Sequence, residues 1–357
     1  MRDPFRLLLC LCLCLPVAAA VAAARAGERA PEPAPDPAFA RVLARWDGDA
    51  RADLQAVVVL RDGAVVAERY YNGADAHSLH DIRSAGKSVT ALLAGIAADQ
   101  GRLRFEQAAT RCLPDTRGRA LAGVRVSDLL SMRSGLDADD ERAESPGNED
   151  RLDQAADPVA FALSVPRREA PGTRYAYNSL TAYLTGLCVE GASGQPLDDF
   201  ARQHLFAPLG IDHWRWQRDA GGHAKGQGNL SLRARDFARI GQMALDGGVW
   251  QGHAIVRADT LRAILAPRVR IAAVDPYADD YGWFWYRRTQ HVGGRAIEVV
   301  FASGNGGNKL YLVPALRLVV AIQSSAYGRG YGQRRSQDIL RALLAAAAPD
   351  DGTATAR

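Results

Sequence analysis

Ser84 and Lys87 stand three residues apart in the stretch HDIRSAGKSVTALLAGIAADQG, His80 to Gly101. Lysine and arginine together number 44 in this chain, yet only three of these residues are lysines. On a helix, a spacing of three puts two side chains on one face. From Ser88 to Ala98 no residue is charged, so the helix is predicted to be buried all round. Burial pushes a lysine toward its neutral form, in which it is a base. Arginine could not do this, because it does not deprotonate. A serine in the first turn stands where backbone N–H groups and the helix dipole stabilise an anion. The pair therefore reads as an activated nucleophile, Ser84, with its base, Lys87. The same spacing also fits a capping serine followed by an ordinary lysine.

Three further stretches could join that pair. In APGTRYAYNSLTAYLTG a turn at Pro171–Gly172 precedes a helix that restarts at Ser179. Tyr177 then lies on a loop before a helix, where a phenol can relay a proton or simply pack beside Tyr175. ASGNGGNKLYLVP, residues 302–314, joins two strand patterns. Its glycines make a hairpin turn or bring backbone close to a substrate, where one N–H would complete an oxyanion hole with that of Ser84. DDYGWFWYRR, residues 279–288, alternates as a strand, with Trp283 and Trp285 on one face. Trp283 is the candidate wall of an acyl pocket.

These residues need elements to hold them. LQAVVVLRDGAVVAERYYNG reads as a hairpin, followed by the Ser84–Gln100 helix. The middle, about 105–235, is helical and loop-rich, and DADDERAESPGNED within it reads as an acidic, solvated loop. The last third returns to strands at YGWFWYRR, RAIEVVFASG, NKLYLVP and RLVVAIQSS and ends in a helix. The simplest arrangement is α+β. The first and last strands pair in one antiparallel sheet flanked by helices, with the helical lobe inserted beside it and a cleft between.

Taken together, the order S-x-x-K, Tyr177-Asn178-Ser179 and a glycine-rich turn resembles the serine β-lactamase and penicillin-binding protein superfamily. Within it, the branch of class C β-lactamases, DD-peptidases, related esterases and 6-aminohexanoate-oligomer hydrolases is most similar. VRVSDLLSMRSGLD and RARDFARIGQMALDGGVWQG add to the likeness, which spans roughly 40–347. The resemblance implies the β-lactamase/transpeptidase-like fold, with Ser84 as nucleophile, Lys87 as base and Tyr177 as the second-motif tyrosine. It puts the third motif at Asn305-Gly306-Gly307, with the N–H of Asn308 as second oxyanion donor. Two departures matter. Ser179 stands where many members carry asparagine, which weakens amide recognition by that side chain. Asn305 stands where many carry a lysine or histidine that meets a substrate carboxylate. The expected activity is therefore acyl-enzyme hydrolysis of a small neutral ester or amide. A β-lactamase or DD-carboxypeptidase is the alternative, and a weakly catalytic sensor of cell-wall fragments a second.

Composition sets the remaining bounds. The 357 residues are 48% hydrophobic and 24% charged with a net charge of +4, which suits one large globular domain and offers no basic stripe for nucleic acid. The seven histidines show no metal-ligand spacing, and neither a metal nor another cofactor is expected. Arg2 and Arg6 precede LLLCLCLCLPVAAAVAAA, and ARA at 24–26 fits a cleavage site. Residues 1–26 thus read as a secretory signal, with an uncleaved anchor as the alternative. A periplasmic or secreted protein without a lasting membrane span is expected. A proline-rich linker at 27–38, a hydrolase domain at 39–347 and a disordered tail at 348–357 follow. Cleavage would leave two cysteines. Cys188, in a helical pattern, reads as a buried free thiol, and its pairing with Cys112 stays open.

Overall fold

The computed structural model describes residues 35–113 and 119–347. The expected signal segment, nearly all of the linker and the C-terminal tail lie outside these residues. Eight strands form one antiparallel sheet: β1 (Leu54–Arg61), β2 (Ala64–Tyr70), β3 (Val269–Arg270), β4 (Asp280–Tyr281), β5 (Tyr286–Val292), β6 (Arg295–Gly304), β7 (Asn308–Val313) and β8 (Leu318–Ser324). Their spatial order is β2-β1-β8-β7-β6-β5-β4-β3. The first hairpin thus joins the last strands directly, with Val58 opposite Ala321, as the strand pattern predicts. Every residue of β8 is buried. A strand buried on both faces needs a layer on each side.

Helices supply those layers. Helix α1 (Pro37–Ala44) packs on α5 (Gly330–Ala347), and both touch the sheet. Asp36 caps α1 by accepting from Ala38 N at 2.8 Å, so the helix begins inside the stretch that reads as linker. Helix α2 (Gly86–Asp99) packs on α3 (Ser179–Ser193) and on β6, and α4 (Ala234–Leu245) lies across β1, β7 and β8. Residues Gly86–Ala97 of α2 are all buried, because neighbours surround the helix on every side. A small three-stranded sheet, His80–Asp81 with Leu230–Leu232 and Trp214–Trp216, fixes the chain just before α2. Among the described residues, no helix is long and apolar enough to cross a membrane.

Two expectations change here. The 281–288 stretch is not one strand. It breaks at Gly282–Trp285, where Phe284 takes a φ of +58°. The amides of Trp283 and Phe284 leave the sheet and donate to Ile264 O and Leu130 O, at 3.2 and 3.1 Å. Cys112 and Cys188 form a disulfide, with a Cα–Cα separation of 4.6 Å. Cys112 follows the turn Ala109–Arg111, which brings it against the buried face of α3. The bond closes a sequence separation of 76 residues and restrains the unfolded chain. The Cys112→Ser variant is expected to lose about 2–4 kcal/mol of stability. Urea denaturation of oxidised wild type against the variant checks this, and coincident midpoints would refute it.

Candidate active site

Ser84 sits on the 3-10 turn Arg83–Ala85, two residues ahead of the start of α2 at Gly86. The turn is sharp: Arg83 takes a left-handed φ of +52°. It is held from below, with Ile82 N donating to Leu230 O at 2.9 Å and Arg83 N to the Asp81 carboxylate at 2.8 Å. Lys87 lies one turn on and is 2% exposed. Its Nζ donates to Ser84 Oγ at 2.9 Å, to Ser179 Oγ at 3.0 Å and to the Gln227 carbonyl at 2.8 Å. Three donors thus meet three acceptors. Thr90 holds the same loop, donating to Gly226 O at 2.7 Å.

Tyr177 closes the group. Its ring centre lies 5.1 Å from Lys87 Nζ, and Lys87 and Ser84 both pull its pKa down. The backbone around it is pinned on both sides. Ala176 N donates to Met132 O, and Asp140 N donates to Tyr177 O, each at 3.0 Å. Asn178 caps α3 by accepting from Thr181 N at 2.7 Å. Ser84 and Lys87, paired by one spacing, and Tyr177, read from the turn ahead of a helix, are thus brought together.

The electrostatics differ from the sequence expectation. Burial opposes the charge of Lys87, but Tyr177, Glu149 and Asp140 outweigh it, and the pKa is raised. Lys87 therefore rests as an ammonium. Burial raises the pKa of Tyr177 against the pull of Lys87 and Ser84, so the phenol keeps its proton. The acids responsible come from the stretch that reads as a solvated loop. Asp140 and Glu149 instead line the cleft. Burial lifts the Asp140 carboxyl to about 6, against the opposing pull of Lys87.

The cleft over Ser84 has a volume of about 830 Å3, within the usual range of small-molecule sites. Five carboxylates line it, Asp139, Asp140, Glu141, Glu149 and Asp275, against the cations Arg174 and Lys309. Tyr175, Tyr286 and Phe301 give it an aromatic wall, with Tyr286 stacked on Phe301 at 5.3 Å. Trp283 is not part of that wall. It is buried against Phe105 at 4.3 Å and under Arg268 at 4.5 Å. The break at 282–285 resets the alternation, so Tyr286 rather than Trp283 reaches the cleft.

The third motif is also shifted. Ser303, Gly304 and Asn305 line the cleft, whereas Gly306, Gly307 and Asn308 do not. A Cβ on Gly304 would lie 2.1 Å from Ile82 O and 3.1 Å from Ala85 N, so β6 runs directly against the Ser84 turn and only glycine fits. Gly306 and Gly307, at φ +85° and +93°, make the turn itself. Asn308 is fully buried, and its amide donates to Asn305 O and Ser324 O, both at 2.9 Å. It ties the hairpin to β8. Ser179 is likewise withdrawn from the cleft, being fully buried with its oxygen toward Lys87. The signal for this register is the small pair Ser303-Gly304 at the end of a long apolar strand.

Lys309 is a residue that strand alternation from Asn308 turns away from the cleft. It lines the cleft instead, since Asn308 faces inward. Nζ donates to Ser303 Oγ at 2.6 Å and lies 4.9 Å from the centre of the Phe301 ring. Burial lowers its pKa to about 7, with Asp275 opposing. The unfolded chain holds this proton to above pH 10, so between pH 7 and 10 it binds more protons than the folded chain. Stability must then rise with pH in that window, by about 1.4 kcal/mol per unit from this group. Lys309→Met is expected to flatten that slope between pH 7.5 and 9.5. Unfolding free energies of wild type and variant at the two pH values check it, and parallel profiles would refute it.

Comparison with known proteins places this geometry. Residues 42–344 match the beta-lactamase family. A curated relative, the 6-aminohexanoate-dimer hydrolase of Paenarthrobacter ureafaciens, is 28% identical over 287 residues, covering 76% of this chain and 72% of its own. Among solved structures, a penicillin-binding protein homologue from Caulobacter crescentus superposes with a TM-score of 0.70 at 20% identity, covering 87% of this chain and 97% of that one. EstCE1, described as a hydrolase with promiscuous acyltransferase activity, superposes at 0.69 with 15% identity, covering 85% and 99%. The match runs through nearly every described element, from α1 to α5, and the chain belongs to the beta-lactamase family as a serine hydrolase.

Proposed function

We propose that this serine hydrolase forms an acyl-enzyme at Ser84 and cleaves a small neutral or cationic ester or amide. The observation that carries this is the hydrogen bond between Lys87 Nζ and Ser84 Oγ, with Tyr177 beside both. Lys87 and Tyr177 act as one titrating unit, because each shifts the other. When that unit has lost one proton, it takes the Ser84 proton as Oγ bonds to the substrate carbonyl carbon. The backbone N–H groups of Ser84 and Asn305 flank the developing oxyanion. Tyr177 then gives the proton to the leaving oxygen or nitrogen as its bond to carbon breaks, and water releases the acyl group by the reverse path.

The lining of the cleft supports the substrate class. Five acids against two cations disfavour an anionic substrate, and the curated relative is named as a hydrolase of the 6-aminohexanoate dimer. A β-lactamase or DD-carboxypeptidase reading is favoured by one observation, Lys309 beside Ser303 in the cleft wall, where an ammonium could meet a carboxylate. No observation favours a non-catalytic sensor. We also place the protein in the periplasm or outside the cell, a reading supported by the Cys112–Cys188 bond.

Two experiments test the proposal. A fluorophosphonate should add one mass equivalent to wild type and none to Ser84→Ala, which should also lose at least a thousandfold in turnover, on the order of a missing nucleophile. Equal labelling of the two would remove the assignment. In a substrate panel, short neutral esters should exceed nitrocefin in kcat/KM. Nitrocefin turned over faster than any ester, and faster at pH 6 than at pH 8, would carry the Lys309 reading instead.

A further inference from the structure

Two buried polar atoms near Lys87 have needs that match. Ser179 is fully buried, and its Oγ already accepts from Lys87 Nζ at 3.0 Å. Its own hydroxyl hydrogen must find an acceptor, as buried donors do. Asp140 Oδ2 is buried and has no hydrogen-bond partner, while Oδ1 is occupied by Glu149 N at 3.0 Å. Asp140 N holds Tyr177 O at 3.0 Å, which fixes the carboxylate beside the 177–179 segment. Ser179 holds the Asp140 pKa down, against the larger effect of burial.

We propose that Asp140 is a positioning residue, whose carboxylate accepts the Ser179 hydroxyl so that the serine oxygen faces Lys87 Nζ, and whose charge keeps Lys87 the cation of the Lys87–Tyr177 unit. No proton is transferred to Asp140 in this role. The groups facing it are Lys87 from α2, Glu149 from the helix Glu149–Gln154, and Tyr177 with Ser179 at the start of α3. Asp140 raises the pKa of both Lys87 and Tyr177. Removing its charge must therefore let the unit lose its proton at lower pH. Below about pH 6 Asp140 itself gains a proton, and the wild type then loses the same support.

The activity arm of the test rests on the hydrolase reading above, and a second arm does not. Asp140→Asn keeps an acceptor for Glu149 N but offers Ser179 a donor. With p-nitrophenyl butyrate between pH 7 and 11, corrected for spontaneous hydrolysis, Asp140→Asn should lower the limiting kcat by on the order of tenfold, part of the contribution of a well-placed base. KM for this neutral ester should hold within about twofold, and the rising limb of the profile should move down by about one pH unit, as for one partly screened charge. Asp140→Glu should restore the position of the limb, and Ser179→Ala should lower kcat without moving it. An Asp140→Asn limb unmoved from wild type, or a Ser179→Ala kcat equal to wild type, would overturn the proposal. The second arm needs no turnover. With three lysines in the chain, 13C labelling at Cε resolves Lys87 by comparison with Lys87→Ala. Its titration should fall by about one unit in folded Asp140→Asn. An unshifted Lys87 signal overturns the proposal even if no ester is ever hydrolysed.

Discussion

A single ammonium group sets the terms for the structure around it. Lys87 Nζ has three protons, and the fold supplies one acceptor each from the Ser84 turn, the head of α3 and the loop at Gln227. A buried cation left short of partners would cost several kcal/mol. The three segments must therefore be brought to one point with ångström precision. Much of the surrounding chain is explained by that need. Helix α2 is apolar on every side because it must be enclosed. Gly86 crosses Gly228 so closely that a Cβ would lie 3.1 Å from the opposing Cα, and Gly304 lets β6 come against the same turn.

The part of this arrangement that is local in sequence was legible. Spacing alone paired Ser84 with Lys87, and turn-then-helix chemistry put Tyr177 on a loop ahead of α3. The sheet followed from strand patterns at both ends of the chain. What was not legible depends on approach between distant segments. Glycines at 304, 306 and 307 look alike in sequence, yet 304 lies against the Ser84 turn, whereas 306 and 307 take a positive φ and lie against Tyr327 and Gly332, and only the packing separates those uses. The sign of the Lys87 shift was misread for a similar reason. Burial can be inferred from an uncharged helix, but the acids that reverse its effect lie more than fifty residues away. Trp283 was misplaced by assuming that a strand pattern continues through a glycine.

The acidic stretch 137–150 shows how composition misleads. A run of carboxylates is ordinarily a solvated surface, and Glu144 fits that description. Asp140 and Glu149 do not, because the loop folds over the cleft and its backbone is tied to Tyr177. The same loop thus carries both surface charge and the field that acts on the buried lysine. Its backbone tie makes that field a fixed property of the site.

The scarcity of lysine has a practical side. Lys87 and Lys309 are both 2% exposed, and Lys225, with a side chain 13% exposed, is held by Asp153 at 2.9 Å. The described surface therefore offers almost no primary amine to an acylating or aldehyde reagent. Succinimidyl dyes, glutaraldehyde and amine-coupled sensor chips would find few handles on it. Attachment to a support has to go through its abundant carboxylates or guanidinium groups, and a lysine added by mutation at a chosen exposed position would become a nearly unique anchor for orienting the cleft toward solution.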